Sequence, residues 1–508
     1  MSEQISNAAE WILSGGDAAA AAIVSGDAAV TYGQLRARSC GCAAKLLSEG
    51  LARGDRVGLL AENGPFFVAA YLGVVRAGLC AVPLPVDGSE AALRRIVADT
   101  GMKRVFVSAR LLPRLQPMAA ALGAGLLVES SDWPAATQQA MPESVGCDEL
   151  AALMCTSGST GEPKAVMVTH GNIACNTRDI IEYMGLESHD RVMLVLPLSY
   201  CYGMSVLHTH LAVGGSVVMN NRFMFPEKIL DDMEQKQCTG LAGVPATYQI
   251  LLRKTRFAQR KFPALRWLQQ AGGRLPNPFL SELRQAFPHV RLLVMYGQTE
   301  ATARLSYLPP DRLDDKLGSI GKGLAHTRLE VLTPDGAPVR PGSDEVGEIV
   351  ASGDNITPGY WNDAEETGRF FRAGRLYTGD MARVDQDGFI FIVERRRDFI
   401  KAMGNRVSPK EVEEVIAELP QVVEAAVIGV PHEIWGEAIH AFIAPTMAGC
   451  LTADEVRAHC LQRLPNYKVP EIVEFLPSLP KTSHGKVDKE KLKASSARFA
   501  NKQPEQAR

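Results

Sequence analysis

Short apolar strands that alternate with helices are the feature that most constrains the fold of this chain. Residues 57–60 (VGLL) and 80–86 (CAVPLPV) have the composition of buried strands, and residues 66–77 between them have that of a mostly buried helix. Such alternation indicates a layered α/β fold with a largely parallel sheet. At 508 residues the chain is too long for one simple core, so two or more domains are expected.

A loop of hydroxyl and glycine residues follows an apolar approach that ends at Leu153 and Met154. It consists of Thr156, Ser157, Gly158, Ser159, Thr160 and Gly161, and Lys164 closes it. Glycines let backbone N–H groups approach an anion, and a lysine supplies a point charge for a phosphate. The spacing differs from that of a Walker A loop. Taken alone, the loop is compatible with a polyphosphate cradle and with an exposed connector.

A second polar cluster follows the apolar run 292–296 (LLVMY). Gly297, Gln298, Thr299 and Glu300 come directly after it. Ligand sites in parallel α/β sheets lie at the carboxyl ends of strands, which is where this cluster is expected. Glu300 can offer Mg²⁺ a hard oxygen ligand, and Thr299 can donate to a phosphate. Thr299 alone could also be the N-cap of a helix.

Three motifs together resemble those of the adenylate-forming superfamily, which contains acyl-CoA synthetases, nonribosomal peptide synthetase adenylation domains and beetle luciferases. They are TSGSTGEPK followed by TH, YGQTE, and LPKTSHGK. The landmarks run from Thr31 to Leu492 in the family's order, and the chain is most similar to acyl-CoA synthetases and stand-alone acyl-adenylating ligases. It departs from the pattern at Ala165, where members usually have glycine, and at Arg397, where the hinge is usually Asp or Lys.

The resemblance implies roles for individual residues. Lys486, Thr299 and Glu300 are the expected catalytic residues, with Glu300 as the metal ligand. Asp380 and Arg395 are expected at the ribose, and Lys486 at the carboxylate and α-phosphate. The full expected ATP site consists of Thr156, Ser157, Gly158, Ser159, Thr160, Gly161, Lys164, Gly272, Tyr296, Gly297, Gln298, Thr299, Asp380, Arg395 and Lys486.

The acyl pocket is also implied by the resemblance. Its expected residues are Tyr200, Cys201, Tyr202, Gly203, Gly243, Val244, Gly272, Gly273 and Gly297. Residues 197–219 contain no Asp or Glu, although members that activate α-amino acids usually carry an aspartate here. Since a buried ammonium without a counter-charge is costly, the acid is expected to lack an α-amine. Tyr200 and Tyr202 fit an apolar or aryl wall, or simply a packed core.

The C-terminal part of the chain is expected to be a small mobile α+β domain of residues 397–493, after an N-terminal adenylation domain of residues 1–396. The resemblance places a hinge at Arg397 and a pantetheine tunnel at Lys401 and Gly404. Ser408 and Glu411 predict a capping box at the start of a helix. Residues 494–508 are expected to be a disordered tail, and residues 123–149 a loose connection.

The resemblance implies ATP-dependent activation of a carboxylic acid to an acyl-adenylate, with release of pyrophosphate and with Mg²⁺ as the metal. A pantetheine thiol then accepts the acyl group, most simply that of CoA. An acyl- or aminoacyl-carrier-protein ligase, a luciferase-type oxygenase and a nucleotide-binding scaffold without chemistry are the alternatives. The scaffold ranks last because Lys164, Glu300, Asp380 and Lys486 are all present.

Composition limits the classes of binding partner and the cellular compartment that are expected. A net charge of −3 gives no electrostatic reason to expect nucleic acid, and no apolar run is long enough to span a bilayer. There is no secretory signal pattern, and the ten cysteines are scattered, as expected for reduced thiols. The chain is therefore expected to be a cytoplasmic enzyme, with a homodimer as one candidate assembly.

Overall fold

The computed structural model describes residues 7–116, 125–129, 145–157, 163–395, 398–432, 436–482 and 485–500. The helices are α1 (Ala8–Ser14), α2 (Tyr32–Ser48), α3 (Pro65–Arg76), α4 (Glu90–Thr100), α5 (His170–Met184), α6 (Cys201–Ala212), α7 (Pro226–Gln235), α8 (Pro245–Lys254), α9 (Asn277–Ala286), α10 (Ala364–Phe370), α11 (Pro409–Ile416), α12 (Ala453–Leu461) and α13 (Lys489–Ala500). The strands are β1 (Ala21–Ser25), β2 (Ala28–Thr31), β3 (Arg56–Leu60), β4 (Cys80–Pro83), β5 (Arg104–Val107), β6 (Gly125–Val128), β7 (Leu150–Ser157), β8 (Pro163–Thr169), β9 (Arg191–Leu194), β10 (Ser216–Met219), β11 (Gly240–Gly243), β12 (Trp267–Gln270), β13 (Arg291–Tyr296), β14 (Ser306–Leu308), β15 (Thr327–Leu332), β16 (Gly347–Gly353), β17 (Gly359–Tyr360), β18 (Phe371–Arg372), β19 (Arg375–Val384), β20 (Ile390–Arg395), β21 (Ile400–Ala402), β22 (Asn405–Val407), β23 (Val422–His432), β24 (Gly436–Pro445) and β25 (Ile472–Phe475).

Two largely parallel sheets build the N-terminal part of the chain. The first has the order β14-β13-β12-β11-β9-β10-β1-β2, with parallel central pairs and antiparallel end pairs. The second has the order β17-β8-β7-β4-β3-β5-β6, with antiparallel pairs only at the β7-β8-β17 side of the described strands. A shared apolar core joins these sheets to the helices between them, and α3 is buried from Phe67 through Arg76. The prediction of a layered α/β fold is confirmed.

Strand β6 corrects one sequence expectation. Residues 123–149 were expected to be a loose connection, but Gly125–Val128 pairs in parallel with β5. The stretch is too short and too little buried to have a clear period of its own. It becomes a strand because the edge of β5 offers hydrogen bonds, which is a tertiary effect.

A third, antiparallel sheet brings two distant polar residues together. It has the order β15-β16-β19-β18, and β20 pairs with β19. The hairpin between β19 and β20 turns at Asp385, whose Oδ1 accepts from the N–H groups of Asp387 and Phe389. The register of this hairpin sets Asp380 opposite Arg395.

The C-terminal unit is an α+β sheet of order β22-β21-β24-β23, with β25 parallel to β24. Helix α11 begins at Pro409 as predicted, but the predicted capping box is wrong. The Ser408 hydroxyl instead donates to Glu394 Oε2 at 2.9 Å, and Glu411 pairs with Lys468 at 2.7 Å. Partners brought by the tertiary fold have replaced the local cap.

The expected disordered tail is also corrected in part. Helix α13 continues to Ala500, so residues 494–500 are helical, while residues 501–508 lie outside the described chain. Leu492 is buried, and Ser496 Oγ lies 2.9 Å from His440 Nδ1 on β24. Packing against the sheet therefore orders a segment whose polar composition alone predicts disorder.

Candidate active site

Strands β7 and β8 hold the two ends of the glycine-rich loop. Thr156 pairs with Lys164 across this hairpin, and Ser157 is the last residue of β7. The loop residues Gly158, Ser159, Thr160 and Gly161 lie outside the described residues. Ala165 continues β8, its carbonyl accepts the Trp361 N–H at 2.8 Å, and its methyl group is partly buried against an apolar cluster.

Lys164 is already partnered at the mouth of this loop. Its ammonium contacts Glu366 Oε1 at the start of α10 and lies 5.4 Å from the Tyr360 ring centroid. The Tyr360 hydroxyl donates to Glu300 Oε1 at 2.7 Å. The Tyr360 ring therefore stands between the loop lysine and the expected metal ligand.

The end of β13 and the β19–β20 hairpin form one polar cluster around Asp380. The Tyr296 hydroxyl donates to Asp380 Oδ2 at 2.7 Å, and Gln298 Nε2 donates to the same oxygen at 2.8 Å. Arg395 Nε donates to Oδ1 at 3.1 Å, and the buried Asp380 carboxylate raises the pKa of Arg395. Four residues expected in the ATP site thus lie in direct contact.

Glu300 fits the expectation for a magnesium ligand. It offers one carboxylate that is oriented by the Tyr360 hydroxyl, and its own carbonyl accepts from Thr357 N at 3.0 Å. The described residues contain no group of three or more metal-ligating side chains. Mg²⁺ is usually held by one or two carboxylates together with waters and substrate phosphates, so a single glutamate beside a phosphate site suits it.

Lys486 reaches this cluster from the C-terminal unit. Its ammonium lies 5.6 Å from the Tyr200 ring centroid, and its Cε is 3.9 Å from the position of a Cβ on Gly272. Desolvation by the surrounding protein lowers the pKa of Lys486, and the nearby Arg395 charge lowers it further. Lys486 is nevertheless exposed to solvent, so its ammonium is accessible to an anion that enters this site.

Thr299 and Cys201 connect the phosphate side to the expected acyl pocket. Cys201 Sγ lies 3.3 Å from Thr299 Oγ1, and both side chains are buried. Burial raises the pKa of the Cys201 thiol, while the Thr299 hydroxyl and the Lys486 charge oppose that rise. The thiol is therefore neutral at physiological pH.

The glycines of the expected pocket have packing reasons of their own. A Cβ on Gly203 would lie 2.3 Å from Pro197 O, and one on Gly297 would lie 1.8 Å from Ala303 O. A Cβ on Gly243 would approach Thr247, and one on Gly273 would approach Pro245. Gly272 has a φ of +84° and touches Val244, where a side chain would be strained.

The two tyrosines are used differently. The Tyr202 hydroxyl donates to the carbonyl of Gln269 at 3.1 Å, which anchors this side chain to β12. Tyr200 presents its ring to Lys486. Tyr202 is buried and Tyr200 is partly buried, which is compatible with a pocket wall and with a packed core.

The expected tunnel residues Lys401 and Gly404 lie apart from this cluster. Arg397 is outside the described residues. Lys401 and Gly404 are exposed on the β21–β22 hairpin, and Gly404 has a φ of +76° with open space at its Cβ position. The structure therefore does not bring them to the site that Lys486 enters.

The comparisons with known proteins match this architecture. Residues 14–361 match the model of the AMP-binding enzyme family, and residues 411–486 match that of the AMP-binding enzyme C-terminal domain. The chain belongs to the AMP-binding enzyme family. It is 35% identical to a feruloyl-CoA synthase from Amycolatopsis sp. over 472 residues, which cover 92% of this chain and 94% of the relative.

Two solved AMP-binding enzymes have similar structures. The anthranilate CoA ligase AuaEII in complex with anthranoyl-AMP is similar with a TM-score of 0.90 and 25% identity, over 97% of this chain and 98% of that one. ATP-bound MatB from Rhodopseudomonas palustris is similar with a TM-score of 0.86 and 29% identity, over 97% and 99%. Among the described residues, no helix has the length and apolar character that a bilayer crossing needs.

Sequence reasoning missed two site residues that the AMP-binding fold brings in. Tyr360 bonds to Glu300, and Glu366 contacts Lys164. Neither has a local signal, since a tyrosine in GYW and a glutamate in a first helical turn are ordinary features. Only the pairing of β17 with β8 places them there.

Proposed function

We propose that this AMP-binding enzyme activates a carboxylic acid with ATP and transfers the acyl group to the thiol of CoA. The observation that carries the proposal is the position of the Lys486 ammonium, which comes from the C-terminal unit and faces Tyr200 and Gly272 of the N-terminal part. Relatives named as CoA synthases or ligases support CoA as the acceptor.

In the first step a carboxylate oxygen forms a bond to the α-phosphorus of ATP, and the bond to pyrophosphate breaks. Lys486 holds the carboxylate and an α-phosphate oxygen, where it offsets the charge that develops. Thr299 donates to the same phosphate. Asp380 accepts from the ribose hydroxyls, with Tyr296, Gln298 and Arg395 fixing its orientation.

Mg²⁺, when bound, neutralises charge on the phosphate oxygens. Glu300 would hold the ion, and the Tyr360 hydroxyl orients the carboxylate that would do so. When ATP enters, Lys164 exchanges its contact with Glu366 for the β- and γ-phosphates. The loop of residues 156–161 binds the same two phosphates. Positioning of the reacting groups accounts for most of the rate in this mechanism, as in phosphoryl transfer.

In the second step the CoA sulfur forms a bond to the acyl carbon, and AMP leaves. Lys486 occupies the site during adenylation, so the C-terminal unit, residues 397–493, must rotate to admit the thiol. We place the hinge at Arg397, after a first domain of residues 1–396. The rotation brings Lys401 and Gly404 to the site as the tunnel for the pantetheine arm.

The acid lacks an α-amine in this proposal. Residues 197–219, which include all of α6, contain no carboxylate that could pair with an ammonium. We also propose that the enzyme works in the cytoplasm, because all ten of its cysteines are free thiols. Cell fractionation with an antibody against the chain tests the compartment.

Replacement of Lys486 by alanine tests the function. Acyl-adenylate formation, followed as pyrophosphate release over a panel of fatty, aryl and amino acids, is expected to fall about a hundredfold or more. Thioester formation from a supplied acyl-adenylate is expected to remain. The control is Lys491→Ala, an exposed lysine that pairs with Asp488. Equal loss in both steps would overturn the assignment, and product masses with CoA and with a holo carrier protein identify the acceptor.

A further inference from the structure

Arg304, which the proposed mechanism does not use, is a buried cation with no ion-pair partner among the described residues. Its side chain is only 1% exposed, and no carboxylate of the described residues lies within 4.0 Å of its nitrogens. Its Nε and Nη2 atoms have no hydrogen-bond partner in that part of the chain. An arginine stays charged in proteins, and an unpaired buried charge is costly. The residues that the structure describes therefore do not supply this partner.

The backbone of Arg304 is held firmly at the edge of the expected acyl pocket. Its carbonyl accepts from Asn176 Nδ2 at 2.8 Å and from Asn355 Nδ2 at 2.9 Å, and its N–H donates to Asn176 Oδ1. A Cβ on Gly297 would lie 2.9 Å from Arg304 Cα, so the end of β13 packs directly on this residue. The guanidinium is thus positioned by fixed elements.

Aromatic rings, rather than acids, surround the guanidinium. Its Cζ lies 5.0 Å from the Tyr202 ring centroid. Burial raises the pKa of Tyr183, and the adjacent Arg304 charge opposes that rise. Asp179, on the same helix as Tyr183, is already bound to His326 at 2.5 Å. The aromatic faces stabilise a cation and Tyr183 adds a side-chain hydrogen bond, but the N–H groups of Nε and Nη2 have no partner among the described residues.

The two unpartnered nitrogens define the ligand chemistry. Nε and Nη2 share one edge of the guanidinium, so their N–H bonds are parallel. That edge matches the two oxygens of a carboxylate in a bidentate pair. Gln269 Nε2, on β12, is a second buried donor with no partner among the described residues. The backbone carbonyl of the same residue accepts the hydrogen bond from Tyr202.

We propose that Arg304 binds a second carboxylate of the substrate, so that the enzyme selects dicarboxylic acids. This inference rests on the proposed function. Lys486 holds the carboxylate that reacts, and the Nε–Nη2 edge of Arg304 holds the distal one beyond Tyr202. Arg304 is then the residue that sets specificity, and it takes no part in bond formation.

Matched pairs of acids test this selection in the wild-type enzyme. Linear diacids of increasing length and aryl diacids are each compared with their own monomethyl ester by pyrophosphate release. At least one diacid is expected to exceed its ester in kcat/KM by about 30-fold or more, as for a buried charge pair. Equal use of every diacid and its ester would overturn the inference.

Arg304→Met keeps the side-chain volume and removes the charge. The preferred diacid is expected to lose about 30-fold or more, mainly through KM, while its ester is unchanged. The control is Arg253→Met. Arg253 also lies over an aromatic ring, but its guanidinium is paired with Glu282. Equal losses for diacid and ester would show a structural role and overturn the inference.

Two further outcomes separate the inference from the function. If the enzyme activates only acids without a second carboxylate, the role of Arg304 is refuted and the ligase function is left intact. Absence of AMP formation with every acid refutes both. Thermal unfolding of Arg304→Met is recorded first, and if that variant does not fold, the diacid preference of the wild-type enzyme decides.

Discussion

Replacement of Glu414 by alanine is expected to loosen the C-terminal unit from the position in which Lys486 enters the site. Glu414 lies on α11 and reaches across to the start of α9. Its Oε1 accepts the Asn277 N–H at 2.5 Å, and its Oε2 lies 3.3 Å from Arg274 Nη2. Burial raises the pKa of Glu414, and the Arg274 charge opposes that rise.

The size of the effect follows from these two contacts. A hydrogen bond to a charged group contributes about 1.5–3 kcal/mol. The Arg274 side chain is 34% exposed, so solvent screens its share and the lower end of that range applies. A loss of about 1.4 kcal/mol corresponds to about a tenfold shift away from the adenylation position.

The two half-reactions are measured separately. Acyl-adenylate formation in a single turnover is expected to slow by up to about tenfold in Glu414→Ala, because the competent position is populated less. Thioester formation from supplied acyl-adenylate is expected to be unchanged or faster. Glu411→Ala is the control, since Glu411 lies on the same helix but pairs with Lys468 inside the C-terminal unit. Equal slowing of both half-reactions, or of neither, would refute this reasoning.

Two further predictions use exposed sites. Gly404→Leu is expected to keep normal pyrophosphate exchange and to lose most thioester formation, whereas Gly449→Leu, with a similar φ of +75° and equal open space, is expected to keep both. Normal thioester yield from Gly404→Leu would rule out the tunnel. The hydrogen bond to Asp179 raises the pKa of His326, so this contact stabilises the fold fully below the unfolded pKa and is lost as pH rises through the raised value. Urea unfolding is expected to show a loss of at most about 1 kcal/mol between about pH 6 and pH 9, and none in His326→Gln; an identical loss in the variant would contradict this origin.

The assembly of the site was predictable where strand ends determine it. Thr299 and Glu300 follow a strand whose apolar run is visible in the sequence, and parallel strands place their carboxyl ends at one edge. The hairpin that sets Asp380 opposite Arg395 was also visible, because a turn sequence separates two apolar strands. In both cases the local sequence pattern predicts the same placement of residues that the tertiary fold produces.

Other contacts could not be predicted because a distant partner decides them. Ser408 has the sequence of an N-cap, yet its hydroxyl bonds to Glu394, which lies on β20. Residues 125–128 have no clear period and become a strand beside β5. Tyr360 reaches Glu300 through a two-residue strand that only its pairing with β8 defines. In each case the tertiary structure overrides or supplies the local preference.

Arg304 shows most clearly why substrate specificity is harder to infer from sequence than chemistry. In the segment TEATARLS an arginine has the character of an ordinary polar residue, and arginines are mostly exposed. Its meaning changes once the fold buries it beside Tyr202 and gives it no carboxylate within the described chain. Residues 197–219 supply no acid either, and burial lowers the pKa of His208 and His210, so α6 leaves the positive charge of Arg304 without a counter-charge from that side of the pocket. A pocket with that charge disfavours an ammonium and favours a second anion, so the missing aspartate and the unpaired arginine point to the same class of acid.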